Sequence, residues 1–142
     1  MKTLQQILQG KRTGAASISP DASVHEALAL MSEWEVGAIL VLEGEKLVGV
    51  FSERDYARKS ILQSKTPRET RVRDYMTSKV LWVKPSQTVE ECMALMTEKR
   101  VRHLPVLQGE KVIGVVSIGD AVKEMLSEQQ FIIAQLEHYI HS

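Results

Sequence analysis

Shifted by 65 positions, the chain falls on itself. Pro20 meets Pro85, Val24 meets Val89, Leu30-Met31 meets Leu95-Met96, and Gly44-Glu45-Lys46 meets Gly109-Glu110-Lys111. The match runs on without a gap through Gly49-Val50 and Gly114-Val115, Ser52 and Ser117, to Asp55 and Asp120. Over Pro20 to Asp55, 17 of 36 positions are identical, more than two unrelated amphipathic stretches share by chance. A period of this length marks one supersecondary unit used twice, and a unit that cannot bury its hydrophobic face alone must bury it against a neighbour.

Each copy reads the same way. Ser23-Val-His-Glu26 and Thr88-Val-Glu-Glu91 have the S/T-x-x-E form of a capping box and predict two helix starts. Behind them Val24, Ala27, Leu28 and Met31, and likewise Val89, Cys92, Met93 and Met96, keep the spacing of one buried helix face. The methionines and Cys92 read as core filler. The apolar stretches Val36 to Leu42 and Val101 to Leu107 lead through Gly-containing turns into Leu47 to Phe51 and Val112 to Val116, which predicts two hairpins. Second helices are expected from Ser52 through Tyr56 to Ile61, and from Ser117 through Ala121 to Leu126. With short apolar entries at Ala15 to Ile18 and Val80 to Val83, the pattern is β-α-β-β-α, twice. The expected division is a first repeat with an N-terminal helix over residues 1–62, a linker over 63–73, a second repeat over 74–127 and a C-terminal amphipathic helix over 128–142.

Composition removes several classes of function. Eighteen basic residues balance eighteen acidic ones, so the chain lacks the phosphate-neutralising excess of a general nucleic-acid binder. The longest apolar run, Gly37 to Leu42, is far short of the roughly 20 residues that cross a bilayer. The N-terminus, which mixes Lys2, Gln5, Gln6, Lys11 and Arg12 among its apolar residues, does not read as a signal peptide. Together with the single cysteine, this leads us to expect a cytoplasmic protein. The chain contains no G-x-x-x-x-G-K-S/T loop, G-x-G-x-x-G or H-E-x-x-H, so no catalysis is proposed and no catalytic or metal site is assigned. His138 and His141 alone make an incomplete metal site. Trp34 and Trp82 read as edge-of-core residues.

The remaining chemistry lies where each hairpin enters its second helix. At Ser117-Ile-Gly-Asp120 the first helical N–H groups lack internal partners and the helix dipole favours an anion. The Ser117 hydroxyl can bond a phosphate oxygen, Gly119 lets the backbone approach closely, and the Asp120 carboxylate can accept both hydroxyls of a ribose. Ser-x-x-Asp is equally a capping arrangement, and its recurrence as Ser52-x-x-Asp55 fits either reading. Arg102 and His103 interrupt an apolar strand, and alternation puts them on opposite faces, so at most one points into a given cleft.

With Arg102-His-Leu-Pro-Val106 on its middle strand and Gly114-Val-Val-Ser-Ile-Gly-Asp120 leading into its last helix, the chain resembles the CBS domain pair, over roughly Met1 to Leu126. The resemblance implies an α/β (α+β) fold of two CBS repeats packed as a pseudo-twofold pair, which commonly dimerises. It also implies clefts between repeats that bind AMP, ADP, ATP, NAD or S-adenosylmethionine and so regulate another protein. The residues that it assigns to ligand in the second repeat are Lys79, Val80, Val101, Arg102, His103, Pro105, Ser117, Ile118, Gly119 and Asp120. In the first repeat they are Gly37, Ala38, Ser52, Arg54, Asp55 and Arg58.

The first repeat departs from the second. Glu53-Arg54 replaces Ile118-Gly119, and Gly37-Ala-Ile-Leu40 replaces Arg102-His-Leu-Pro105. Arg54 offers a bidentate phosphate donor beside a repelling Glu53, and Arg58 and Lys59 follow within a turn, favouring either a phosphorylated ligand or a solvated helix face. The expectation is a regulatory adenine-nucleotide-binding module that acts on a protein partner or as a homodimer and binds neither nucleic acid nor membrane. The alternative is a ligand-free oligomerisation or interaction scaffold. A nicotinamide-dinucleotide sensor is favoured if Arg54 and Arg58 contact a second phosphate.

Overall fold

The computed structural model describes residues 2–10 and 15–141. Its elements are α1 (Leu4–Gln9), β1 (Ser17–Ile18), α2 (Val24–Trp34), β2 (Ala38–Glu43), β3 (Lys46–Ser52), α3 (Glu53–Ser60), α4 (Val72–Tyr75), α5 (Val89–Lys99), β4 (His103–Gln108), β5 (Lys111–Ser117) and α6 (Ile118–His141). They form two compact units, one of residues 14–81 and 109–112, the other of residues 1–13, 82–108 and 113–142.

The duplicated sequence makes duplicated local structure. Ser23 and Thr88 cap α2 and α5 by accepting from the amides of Glu26 at 3.1 Å and Glu91 at 3.2 Å. At α5 the carboxylate half of the expected box is diverted: Glu91 Oε2 accepts from Gln87 Nε2 at 3.4 Å. Both hairpins turn through a glycine in the left-handed region, Gly44 at φ 63° and Gly109 at φ 65°, where a Cβ would be strained.

In the first unit β2 is central, pairing in parallel with β1 and antiparallel with β3. Ile39, Val41 and Phe51 join Val24, Ala27 and Met31 of α2 in its core. The segment expected as a linker over 63–73 completes this core. Thr70, Val72 and Tyr75 are buried, and the backbone of Val24 donates to the Thr70 carbonyl while Val72 donates to that of Ala22, both at 2.9 Å. The charges around Val72 and Tyr75 conceal that these two apolar side chains lie three apart on one turn of helix.

In the second unit Val83, Cys92, Met96, Leu104, Val106 and Val116 form the core together with Leu4 of α1. Three features here differ from the expected division. The N-terminal helix, assigned above to the first repeat, packs in the second unit. The stretch Val80 to Val83 is no strand; Val83 alone makes a parallel bridge to Val106, leaving a two-stranded sheet of β4 and β5. The second helix of the repeat and the C-terminal helix are one continuous element, α6, because nothing between Leu126 and Gln129 stops a helix: there is no glycine or proline.

Candidate functional site

The two Ser-x-x-Asp segments begin α3 and α6, each at the end of a hairpin. In the second unit Ser117 Oγ accepts from the Asp120 amide at 3.1 Å, and Asp120 Oδ2 accepts from the Ser117 amide at 2.8 Å. The arrangement is a complete reciprocal capping box with aspartate in the place of glutamate. The next amide is also committed, since Ile118 donates to the Arg102 carbonyl at 2.8 Å. That bond ties the entrance of β4 to the start of α6 and so gathers Val101, Arg102, His103, Ser117, Ile118, Gly119 and Asp120 at one end of the unit. Arg102, Ile118 and Gly119 are exposed there, and His103, Ser117 and Asp120 are half-buried. A Cβ added at Gly119 would meet nothing closer than Ser117 Oγ at 3.6 Å, so the backbone at the helix start is open to approach. Pro105 is buried, and its carbonyl accepts from the Val83 amide at 2.9 Å. Lys79, exposed, and Val80, half-buried, lie in the first unit on the irregular stretch after α4.

The first unit repeats this geometry with one difference. Ser52 Oγ accepts from the Asp55 amide at 3.1 Å, and the Glu53 amide donates to the Gly37 carbonyl at 3.1 Å, the counterpart of Ile118 and Arg102. Ala38 is buried opposite Ser52 in the β2–β3 register. Asp55 Oδ2, however, accepts from the Thr77 hydroxyl at 3.0 Å. Thr77 is held there by a bridge to Val50, its amide donating at 2.8 Å and its carbonyl accepting at 3.0 Å. No sequence signal announces Thr77, because it reaches Asp55 across 22 positions of chain. Arg54 and Arg58 stand exposed on one face of α3, four residues apart. Lys59, which follows Arg58 on α3, donates to the Tyr75 carbonyl at 3.2 Å and fastens α3 to α4.

Other chemistry is scarce. Burial pushes the Cys92 thiol up to about 11, so at neutral pH it is a protonated core residue and a poor nucleophile. Among the described residues no three His, Cys, Asp or Glu side chains could hold a metal together, and no helix is long and apolar enough to cross a membrane. Trp34 packs at the edge of the first core, while Trp82 is exposed.

A model of the CBS domain matches residues 12–61 and 72–127. The chain belongs to the CBS-domain family. Both repeats are covered, and the match ends fourteen residues before α6 does, at residue 127 of an element that runs to His141. The CBS domain-containing protein CBSX3 of Arabidopsis thaliana, described as mitochondrial, is 35% identical over 97% of this chain and 71% of its own. Among solved structures, a putative signal-transduction protein with CBS domains from Burkholderia ambifaria superimposes with a TM-score of 0.86 at 47% identity, covering 90% of this chain and 96% of that one. CBSX2, solved in complex with AMP, superimposes with a TM-score of 0.71 at 26% identity, covering 91% and 99%.

Proposed function

We propose that this CBS pair is a cytoplasmic regulatory module that binds an adenosine-containing ligand reversibly and passes its presence to a protein partner or through a homodimer, with no covalent chemistry of its own. AMP is the first candidate, with ADP, ATP and NAD behind it. The observation that carries the reading is the gathering at the start of α6, where the Ile118–Arg102 bond holds the Arg102-His103 entrance of β4 beside the Ser-Ile-Gly-Asp helix start and Gly119 leaves the backbone open to approach. Such a place suits a phosphate at the helix N-terminus and ribose hydroxyls on Asp120, with Arg102 exposed alongside. The AMP complex of CBSX2, a relative of the same family, supports the ligand class. At α3, Arg54 and Arg58 offer further positive charge, which favours a more highly phosphorylated ligand or a dinucleotide near Asp55.

The closed cap at Ser117 and Asp120 supports a second reading, a ligand-free scaffold in which both Ser-x-x-Asp segments only terminate helices. Calorimetric titration of the full chain with AMP, ADP, ATP, NAD, NADH and S-adenosylmethionine separates the two. The sensor reading expects at least one of them to bind with Kd below about 1 mM. It also expects Asp120→Ala and Asp55→Ala to weaken different components of that binding. If none binds below that level, the scaffold reading takes its place.

A further inference from the structure

Only the first half of α6 is covered by its own unit. Ala121 is buried, and Glu124, Met125 and Glu128 are half-buried on the face that packs along α5, whereas every side chain from Gln129 to His141 is exposed. Of the thirteen large apolar side chains exposed among the described residues, nine are on this helix. Scattered exposed apolar residues are ordinary, but a contiguous stripe marks an interaction surface. Val122, Leu126, Gln129, Ile133, Leu136 and Ile140 recur at spacings of four and three, the seam of a coiled coil with one polar position. The seam rises about 27 Å at 1.5 Å per residue. At its start it is continuous with the exposed surface of Ile118, Gly119 and Lys123.

A seam of this kind needs a helix of matching period and length. The other described helices have at most 11 residues, against 24 in α6. We infer that the occupant is α6 of a second copy of this chain, laid antiparallel. With Leu126 facing Leu136 of the other copy, Val122 meets Ile140 and Gln129 meets Ile133, and each contact occurs twice, as a twofold interface requires. The start of one α6 thereby lies along the exposed end of the other. The flanking charges set the direction. Lys123 and Glu137 occupy the same heptad position two heptads apart, so antiparallel pairing puts each Lys123 beside Glu137 of the second copy, whereas parallel pairing would put them beside Ile118 and Ile132. A lipid surface fits less well, because the polar side of α6 carries Glu124, Glu128 and Glu137 against Lys123 as its one Lys or Arg. Residues 128–141 lie outside the CBS match, so this contact belongs to the chain's own extension of the family fold.

Sedimentation velocity and light scattering on the full chain test the inference. At tens of micromolar the expected mass is twice the 16.0 kDa of one chain. Leu136→Asp and Ile133→Asp, at exposed positions that spare the core, are expected to give monomers with unchanged circular dichroism. Lys123→Glu and Glu137→Lys are each expected to weaken pairing about tenfold, and the double charge swap to restore it. A wild-type chain that stays monomeric overturns the proposal, including one that instead floats with lipid vesicles. So does an assembly that Leu136→Asp leaves intact. A dimer that the double swap does not rescue overturns the antiparallel register.

Discussion

Asp120 and Asp55 hold equivalent positions in the two repeats and keep different company. Asp120 accepts from the Ser117 amide and completes its own cap, while Asp55 accepts from the Thr77 hydroxyl. Capping and ligand binding can be separated at Asp120 by chemistry. An asparagine side chain keeps a carbonyl that accepts from the Ser117 amide but loses the anionic pair of oxygens suited to two ribose hydroxyls. Asp120→Asn is therefore expected to leave thermal stability within about 0.5 kcal/mol of wild type, while Asp120→Ala costs about 1 kcal/mol as a lost cap, by denaturant unfolding. Both are expected to lose AMP binding in calorimetry. Asparagine binding AMP as tightly as aspartate would reduce Asp120 to a cap. The Ser-x-x-Asp spacing was visible in the bare sequence because capping is local, within three residues. Thr77 was not, because its contact with Asp55 depends on a strand bridge that only the folded unit creates.

The elements that could be read from the sequence are those whose signals are local. The capped helices α2 and α5 start where Ser23 and Thr88 predict, and both hairpins turn at the expected glycines. What escaped reading was the assignment of short pieces to cores. Nothing in Leu4, Ile7 and Leu8 says which repeat they serve, yet α1 is bound to the second one. The Leu4 amide donates to the Gln87 carbonyl at 2.9 Å and that of Gln5 to Pro85 at 3.0 Å, while Lys2 pairs with Glu124 at 2.9 Å. A Cβ on Gly114 of β5 would lie 2.7 Å from the Leu8 side chain, so the absent side chain makes room for α1. Leu4 is fully buried in a core whose sheet has only two strands. Leu4→Ala is expected to cost about 2–5 kcal/mol in chemical denaturation, the usual range for a large-to-small core change. A loss under about 1 kcal/mol would mean that α1 is an accessory and not part of the core.

At the scale of the molecule, one helix joins the two proposals. α6 opens at Ser117 and Asp120, where ligand is proposed to bind, and continues unbroken to the stripe through which a second copy is proposed to pair. With no net charge at pH 7, no long-range repulsion opposes that pairing. A rigid element shared by two binding events couples them only if ligand favours one arrangement of the helix over another, and any such coupling is reciprocal. If AMP changes the dimer dissociation constant by some factor, pairing must change AMP affinity by the same factor, and couplings of about 1–3 kcal/mol correspond to roughly 5–150-fold. The measurement compares AMP titrations of the wild-type dimer and the Leu136→Asp monomer, alongside sedimentation of the wild type with and without saturating AMP. Leu136 is far along the helix from Asp120, sixteen positions or about 24 Å of rise, so the substitution touches no residue assigned to ligand. Equal, non-unit factors in the two experiments are expected. Identical AMP affinity in dimer and monomer would leave α6 as a clasp between chains, and the signal would have to leave the site by another element.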